Sequence, residues 1–421
     1  MTVPAAARAN IFQLTAVFRP LRSGGAVMLT NTTPNILLGT FPARLRPTIP
    51  FDPKILYFLD RFKDALEETL PNNREAKALA FWLRRKHLQS FKNRTGNVSS
   101  RLGRGMIFHI APANVPLMAI YSFIVSLLSG NNNIVRISDR ARAELTPILA
   151  MMATLWETEP FSELAKHNAF IAYDKEKTIT DAISLHCDGR IIWGGDAAIQ
   201  EIRTSPLPPQ AIDLAFADRY SMAVLDLPTL QSLSADELQQ QAHLFYNDTY
   251  EMDQNACSSP RLIVWTGDVS AQRDDILNRW WQAVAKEAVQ YDLAPIKVSR
   301  KYTRLWELAT TCPELSDIQW YTNRLYVYSL TAIPDNIALL ALAYGQFFQI
   351  SLSSFTDIVP FLDKKVQTVT TLGIDKDTLR AEIRRQGAAG GDRIVSLGEA
   401  AEFDIFWDGI QMIEYLSRNI S

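Results

Sequence analysis

The 421-residue chain is poor in the residues whose chemistry is easiest to read. Its three cysteines, Cys187, Cys257 and Cys312, are far apart and form no C-x-x-C pair. An odd, scattered set excludes a disulfide framework and a cysteine-rich zinc module, and points to a reducing, cytoplasmic setting. The five histidines include no H-E-x-x-H, so no metal site is expected. Charge of one sign is missing too. With 43 basic and 45 acidic residues the net charge is −2, which implies no broad basic surface for nucleic acid or an anionic membrane. The N-terminus scatters Arg8 and Arg19 through its apolar residues and reads as no secretory signal. Residues 110–135 are uncharged and long enough to span a bilayer, but Pro112, Asn114 and Pro116 break the start and Asn131, Asn132 and Asn133 the end. The unbroken part, 116–129, is too short to span, so a buried helix is expected and no integral membrane span.

What is present is ordinary globular composition, 47% hydrophobic and 21% charged, in a chain long enough for two or three domains. Residues 1–105 read as an N-terminal segment. It has short β-type runs (A-V-M-L-T, N-I-L-L-G-T) and two helical stripes, Ile55, Leu56, Leu59, Phe62, Leu66 and Ala76, Leu79, Ala80, Leu83. From 106 to 225 short apolar runs alternate with helical patterns: M-I-F-H-I-A, N-I-V-R-I-S, A-F-I-A-Y, R-I-I-W-G-G and S-M-A-V-L. Alternation of this kind predicts a doubly wound parallel sheet, which binds ligands beyond the carboxyl ends of its strands. A second α/β region runs from 226 to 400, and a C-terminal helix is expected within 401–421.

Four features on the loops could carry chemistry. Asn114, held between Pro112 and Pro116, either donates its carboxamide N–H to a developing oxyanion or caps the helix that follows. Arg136 and Ser138, two apart at a strand end, either hold a ribose or phosphate or form a solvated edge. Gly194 and Gly195 allow a ligand close to the backbone at a helix start, although Asp196 opposes an anion and serves equally as an N-cap. No G-x-G-x-x-G accompanies them. Cys257 lies among polar and small residues directly before an apolar strand, a setting suited to a nucleophile as well as to a small core residue. Cys187 and Cys312 read as core. So do Phe245, Tyr246, Trp280 and Trp281, which could otherwise line a tunnel.

P-A-N-V-P, then G-N-N-N-I-V-R-I-S, then a cysteine turn before a strand, resemble the aldehyde dehydrogenase superfamily. I-I-W-G-G-D-A-A-I, D-Q-N-A-C-S-S-P-R-L-I-V-W, V-Q-T-V-T-T-L-G and G-G-D-R-I-V-S-L-G-E-A-A-E-F-D-I-F-W-D-G narrow the resemblance to LuxC-like acyl-CoA reductases, the fatty acid reductases of bacterial bioluminescence, over residues 100–421. The resemblance implies an aldehyde-dehydrogenase-like α/β fold: a dinucleotide-binding doubly wound domain, an α/β catalytic domain carrying the cysteine, and a cleft between them. It also implies a homo-oligomer that uses NADPH to reduce a fatty acyl-CoA to the aldehyde through an acyl-cysteine. Cys257 then falls at the nucleophile and Asn114 at the oxyanion-stabilising position. Arg136 and Ser138 fall at the adenosine ribose, and Gly194 and Gly195 along the cofactor. One departure is informative. The stretch Ala215-Phe216-Ala217-Asp218-Arg219-Tyr220-Ser221 lacks the glutamate with which hydrolytic relatives activate water, which fits a reductive direction. In the region 351–357 only Asp357 offers a second acid for the nicotinamide ribose. The resemblance leaves open an acyl group delivered by a carrier protein or acyl-transferring partner, and a subunit that keeps the fold without catalysis.

Overall fold

A computed structural model describes residues 33–42, 46–269, 272–335 and 340–421; the run A-V-M-L-T lies outside them. In chain order the first strands are β1 (Asn35–Gly39), β2 (Arg101–Gly103), β3 (Met106–Ile110), β4 (Asn132–Arg136), β5 (Asn168–Ala172), β6 (Gly189–Trp193) and β7 (Ile212–Phe216). All but β2 form one six-stranded sheet in the order β1-β5-β4-β3-β6-β7. Its pairings are parallel except that of β1 with β5. Every residue of β3, β5 and β6 is buried, as expected for parallel strands covered on both faces.

The uncharged stretch after β3 is the helix Leu117–Leu128, all of it buried. Among the described residues no helix is long and apolar enough to cross a membrane. The first N-terminal stripe forms the helix Pro53–Thr69, started by Pro53 and by the Asp52 side chain, which accepts from the Lys54 N–H. It buries Ile55, Phe58, Leu59, Phe62 and Leu66.

Topology positions the loops that matter. From β3 the chain winds outward through β4 to β5, then returns to the other side of β3 as β6 and β7. The winding direction therefore reverses between β3 and β6. The loops after these two strands, residues 111–116 and 194–195, flank the switch point at which open α/β sheets take their ligands.

The compact units divide between Ala217 and Asp218: residues 1–217 with 410–421, and residues 218–409. The second unit holds β8 (Tyr220–Asp226), β9 (Pro260–Thr266), β10 (Leu315–Thr322), β11 (Leu325–Leu330), β12 (Gln346–Ser351), β13 (Val366–Leu372) and β14 (Arg393–Ser396). They form a sheet in the order β10-β11-β12-β9-β8-β13-β14, antiparallel only at β10–β11. The S-M-A-V-L run, expected in the first sheet, is β8, and it lies between β9 and β13 of the second. A fully apolar parallel strand reads alike in either sheet, and only its partners distinguish them. Phe245, Tyr246, Trp280 and Trp281 are core, packed with Trp265 and Phe347 in one buried cluster.

The expected C-terminal helix is a correction. The chain turns at Asp408 and Gly409, both at positive φ (48° and 75°), makes one helical turn at Met412–Tyr415, and ends as the strand Ser417–Asn419, antiparallel to β2. An Asp-Gly pair in the left-handed region breaks a helix that the apolar spacing alone would allow. Side chains of the first unit then take the carbonyls. Arg101 Nη2 donates to Glu414 O (2.5 Å), Arg104 Nε to Tyr415 O (2.7 Å) and Asn131 Nδ2 to Leu416 O (2.9 Å).

Candidate active site

In the first unit, Asn114 is exposed in the bend between β3 and the helix Leu117–Leu128. That helix has no side-chain cap. Its first N–H groups, those of Met118 and Ala119, donate to the carbonyls of Val115 and Pro116 at 3.1 and 3.0 Å. The capping role is therefore not the one Asn114 fills, and its carboxamide faces open surroundings at the switch point.

Gly194 and Gly195 follow β6 across that switch point. Gly195 is exposed and stands at the N-cap of the helix Asp196–Arg203, with φ −71° and ψ 158°. Any residue can adopt this conformation. A Cβ on Gly195 would meet nothing within 4 Å, and one on Gly194 only the Ala198 methyl at 3.8 Å. Neither backbone strain nor packing calls for glycine at these positions. The space left above the backbone, at a helix N-terminus, suits the pyrophosphate of a dinucleotide. The segment is held from beneath. The Trp193 ring stacks on Phe216 at 4.0 Å, and its Nε1 donates to Ser122 Oγ at 3.1 Å.

Ser122 belongs to a buried network that the sequence did not announce. His109 Nδ1 lies 2.7 Å from Ser122 Oγ, and His109 Nε2 lies 3.0 Å from Asn133 Oδ1. Asn133 Nδ2 donates to Asn168 Oδ1 at 2.9 Å. With Trp193 donating to Ser122, the hydroxyl hydrogen goes to Nδ1, and His109 is neutral with its proton on Nε2. Burial pushes the imidazole down to about 4, against a smaller upward pull from Asn133.

Arg136 and Ser138 follow β4 and have uses within the fold. The Arg136 guanidinium lies over the Tyr173 ring at 4.9 Å, and its Nη2 donates to Tyr173 O at 3.3 Å. The Ser138 hydroxyl caps the helix Asp139–Trp156, accepting from Ala141 N at 3.4 Å.

Cys257 stands in the second unit, on the loop into β9. Asp253 and Gln254 carry the loop through the left-handed region, at φ 55° and 61°. Both are fastened. Asp253 Oδ1 accepts from Tyr291 Oη (2.6 Å) and Lys297 Nζ (2.7 Å). The buried Gln254 donates to the carbonyls of Pro260 and Gln346 and accepts from the N–H groups of Gly345 and Gln346. Ser221 Oγ holds the far end through the Cys257 carbonyl, at 2.7 Å. The loop is thus rigid on both sides of the thiol.

Of the three cysteines Cys257 alone is half-buried; Cys187 and Cys312 lie in apolar clusters. Burial pushes the Cys187 thiol up to about 12, which makes it inert. Burial also raises the Cys257 thiol, but with opposing neighbours. The Arg219 backbone N–H and the Arg261 guanidinium favour its thiolate, while Asp218 and Asp408 oppose it. Arg219 is buried and tied to Asp392 (2.6 Å) and Asp408 (3.1 Å). Arg261 is lowered by burial, and its Nε has no partner among the described residues. Asp218, Arg219, Ser221 and Arg261 all lie in stretches quoted above, but their relation to Cys257 depends on neighbouring strands and is not visible in linear order.

The profile of the family described as "Acyl-CoA reductase (LuxC)" matches residues 60–419. The chain is similar to the long-chain acyl-protein thioester reductase of Aliivibrio fischeri, 21% identical over 340 residues covering 76% of this chain and 64% of that protein. It is also similar to long-chain acyl-protein thioester reductase 2 of Photobacterium leiognathi, 28% identical over 357 residues with the same coverages. The chain thus spans somewhat under two thirds of the length of these relatives. Among solved structures it resembles an indole-3-acetaldehyde dehydrogenase complexed with NAD+, with TM-score 0.58, 12% identity, and 84% and 78% of the two chains covered. An NAD-dependent benzaldehyde dehydrogenase from Corynebacterium glutamicum gives TM-score 0.58, 13% identity, and coverages of 87% and 84%. At such identities the likeness establishes the fold, that of the aldehyde dehydrogenases.

The expectation of NADPH is corrected. The indole-3-acetaldehyde dehydrogenase is bound to NAD+ and the benzaldehyde dehydrogenase is named for NAD, and Arg136 and Ser138, the pair that could have held a 2′-phosphate, are engaged by Tyr173 and by a helix N-terminus. With its profile match running through both sheets, the chain belongs to the LuxC acyl-CoA reductase family, built on the aldehyde dehydrogenase fold.

Proposed function

We propose that the protein reduces an acyl thioester to the aldehyde through an acyl-cysteine on Cys257. The thiolate attacks the thioester carbonyl carbon, forming a new C–S bond. The substrate's own C–S bond then breaks, and the departing thiolate takes up the proton that Cys257 gave up. Arg261 and the Arg219 N–H stabilise the Cys257 anion, and the Asn114 carboxamide donates to the oxyanion of the tetrahedral intermediate. When bound, a reduced nicotinamide dinucleotide supplies the hydride to the acyl carbon; the C–S bond to Cys257 then breaks, releasing the aldehyde and returning the Cys257 thiolate. Gly194, Gly195 and the N-terminus of the helix Asp196–Arg203 would hold its pyrophosphate. Two structural neighbours, one complexed with NAD+ and one NAD-dependent, favour NADH as that reductant. The observation that carries this reading is the setting of Cys257: a half-buried thiol on a doubly fastened loop beside an under-partnered arginine.

A second reading concerns the donor. The family description speaks of acyl-CoA, whereas the curated relatives are named for acyl-protein thioesters. Those names favour an acyl group carried on a protein. Incubation with a radiolabelled long-chain acyl thioester and no reductant tests the core of the reaction. Wild-type protein is expected to retain about one label per chain and Cys257→Ala none. Equal retention by both would remove Cys257 as the nucleophile.

A further inference from the structure

The near-zero total charge conceals a large asymmetry. Residues 1–51 contain no acidic residue, and between Glu75 and Asp139 there are nine Lys and Arg and no Asp or Glu. The densest part of this stretch forms the helix Arg85–Arg94, entered through Arg84. Leu88 and Phe91 bury one face of it, while Arg84, Arg85, Lys86 and Lys92 are exposed and have no ion-pair partner among the described residues. Residues 1–32, which precede the described part, could supply none, because they lack acids. On the helix Pro53–Thr69, Asp64 and Glu67 are spent on Arg61 and Lys63.

An apolar group sits at the edge of this basic face. Phe81 is 47% exposed, with the Arg84 guanidinium 4.4 Å from its ring centroid and the His87 ring at 4.9 Å. Along the helix runs an open depression of about 680 Å³ lined by Arg85, Lys86, Gln89, Ser90, Asn93 and Arg94. The helix is firmly mounted. Phe91 packs on Trp82 (5.6 Å), Trp82 on Tyr121 (5.3 Å), and Tyr121 on Trp193 (6.2 Å), the residue before Gly194.

From this arrangement we infer that the Arg84–Arg94 face docks the acidic surface of the protein that carries the acyl thioester. The inference rests on the reading of the donor as protein-borne. Charge complementarity selects the partner. Arg84, Arg85, Lys86 and Lys92, exposed and spread over about 12 Å of helix, cannot converge on one phosphate, but they match a row of carboxylates on another protein. An aromatic anchor with a polar rim is the anatomy of a protein interface.

The test compares wild type with R85E/K86E/K92E, three exposed changes outside the catalytic groups, after thermal melts establish equal folding. Two donors of matched chain are used, palmitoyl-acyl carrier protein and palmitoyl-CoA. Binding of fluorescently labelled acyl carrier protein is measured separately by anisotropy. We expect kcat/KM on the carrier substrate to fall at least about tenfold, through KM, while that on palmitoyl-CoA changes less than about twofold. Wild-type carrier binding should weaken as salt rises from about 50 to about 200 mM, and the variant's binding should be weak throughout. Unchanged turnover of the carrier substrate overturns the inference. So do equal losses on both donors, which would make the face a site for CoA phosphates, and so does preferential binding of phosphatidylglycerol vesicles or duplex DNA. If wild type turns over neither donor, the proposed reaction fails on its own account. Anisotropy still decides the surface, since carrier binding that is absent in wild type, or undiminished in the variant, overturns it.

Discussion

The Ser221 hydroxyl donates to the Cys257 carbonyl at 2.7 Å and accepts from the Thr368 N–H at 3.1 Å. It does so where both neighbouring ladders slip: β8 against β9 between Ser221 and Met222, and β13 against β8 between Val366 and Val369. Pro260, opposite Ser221, has no N–H to give. One fully buried side chain therefore stands in for backbone bonds that the sheet cannot make, and it fixes the peptide of the proposed nucleophile.

Ser221→Ala should leave the Cys257 carbonyl and the Thr368 N–H unsatisfied, costing about 1–3 kcal/mol of stability. It should slow acylation about tenfold while dinucleotide affinity stays unchanged, because only the aim of the thiol is disturbed. Single-turnover labelling measures the rate, and an unchanged rate would show that the clamp has no part in aiming Cys257.

The charges around Cys257 make opposite predictions for two substitutions. Asp218 raises the thiol, so Asp218→Asn should move the rising limb of the acylation rate against pH to lower pH. Arg261 favours the thiolate, so Arg261→Met should move the same limb to higher pH. Iodoacetamide alkylation of Cys257 across pH reads both directly. Shifts in the same direction would contradict the assignment.

His109 gives stability a pH dependence of known sign. Its folded value, about 4, lies below the ordinary 6.5, so the unfolded chain binds the extra proton first. Its contribution is complete above about pH 6.5 and is lost as pH falls towards 4, at most about 3 kcal/mol. Urea midpoints measured over this window should fall with acid in wild type. In His109→Gln that part of the slope should vanish, at a constant cost of about 1–3 kcal/mol.

Gly195→Val places a side chain in open space at an ordinary backbone conformation. The melting temperature should hardly change. NADH affinity, read by fluorescence titration, should fall at least about tenfold if the dinucleotide lies along this loop. An unaltered affinity would move the cofactor elsewhere.

Much of the fold was legible because its strands are short apolar runs with helices between them, and these runs are β3 to β6. The sequence could not assign β8 to a sheet, since the information lies in β9 and β13 rather than in S-M-A-V-L itself. The C-terminal helix failed for a local reason, Asp408 and Gly409, and a long-range one, the carbonyl-seeking side chains of Arg101, Arg104 and Asn131. Cys257 stood out by its polar setting, and Asn114 by the two prolines that hold it between a strand end and a helix start. Ser221, Asp218 and Arg261 did not, because a serine, an aspartate and an arginine gain meaning only from what lies across a strand. The total charge misled most, since a sum near zero hides a region without acids.

The strand Ser417–Asn419 has a consequence for synthesis. Residues 218–409 leave the ribosome before the first unit has received its last strand. Until residues 414–419 arrive, β2 lacks this partner and Arg101, Arg104 and Asn131 lack the carbonyls they bind. The nascent first unit therefore carries open hydrogen-bonding groups through most of translation. A product cut short before residue 414 would keep them, and with them a standing mark for chaperones and proteases.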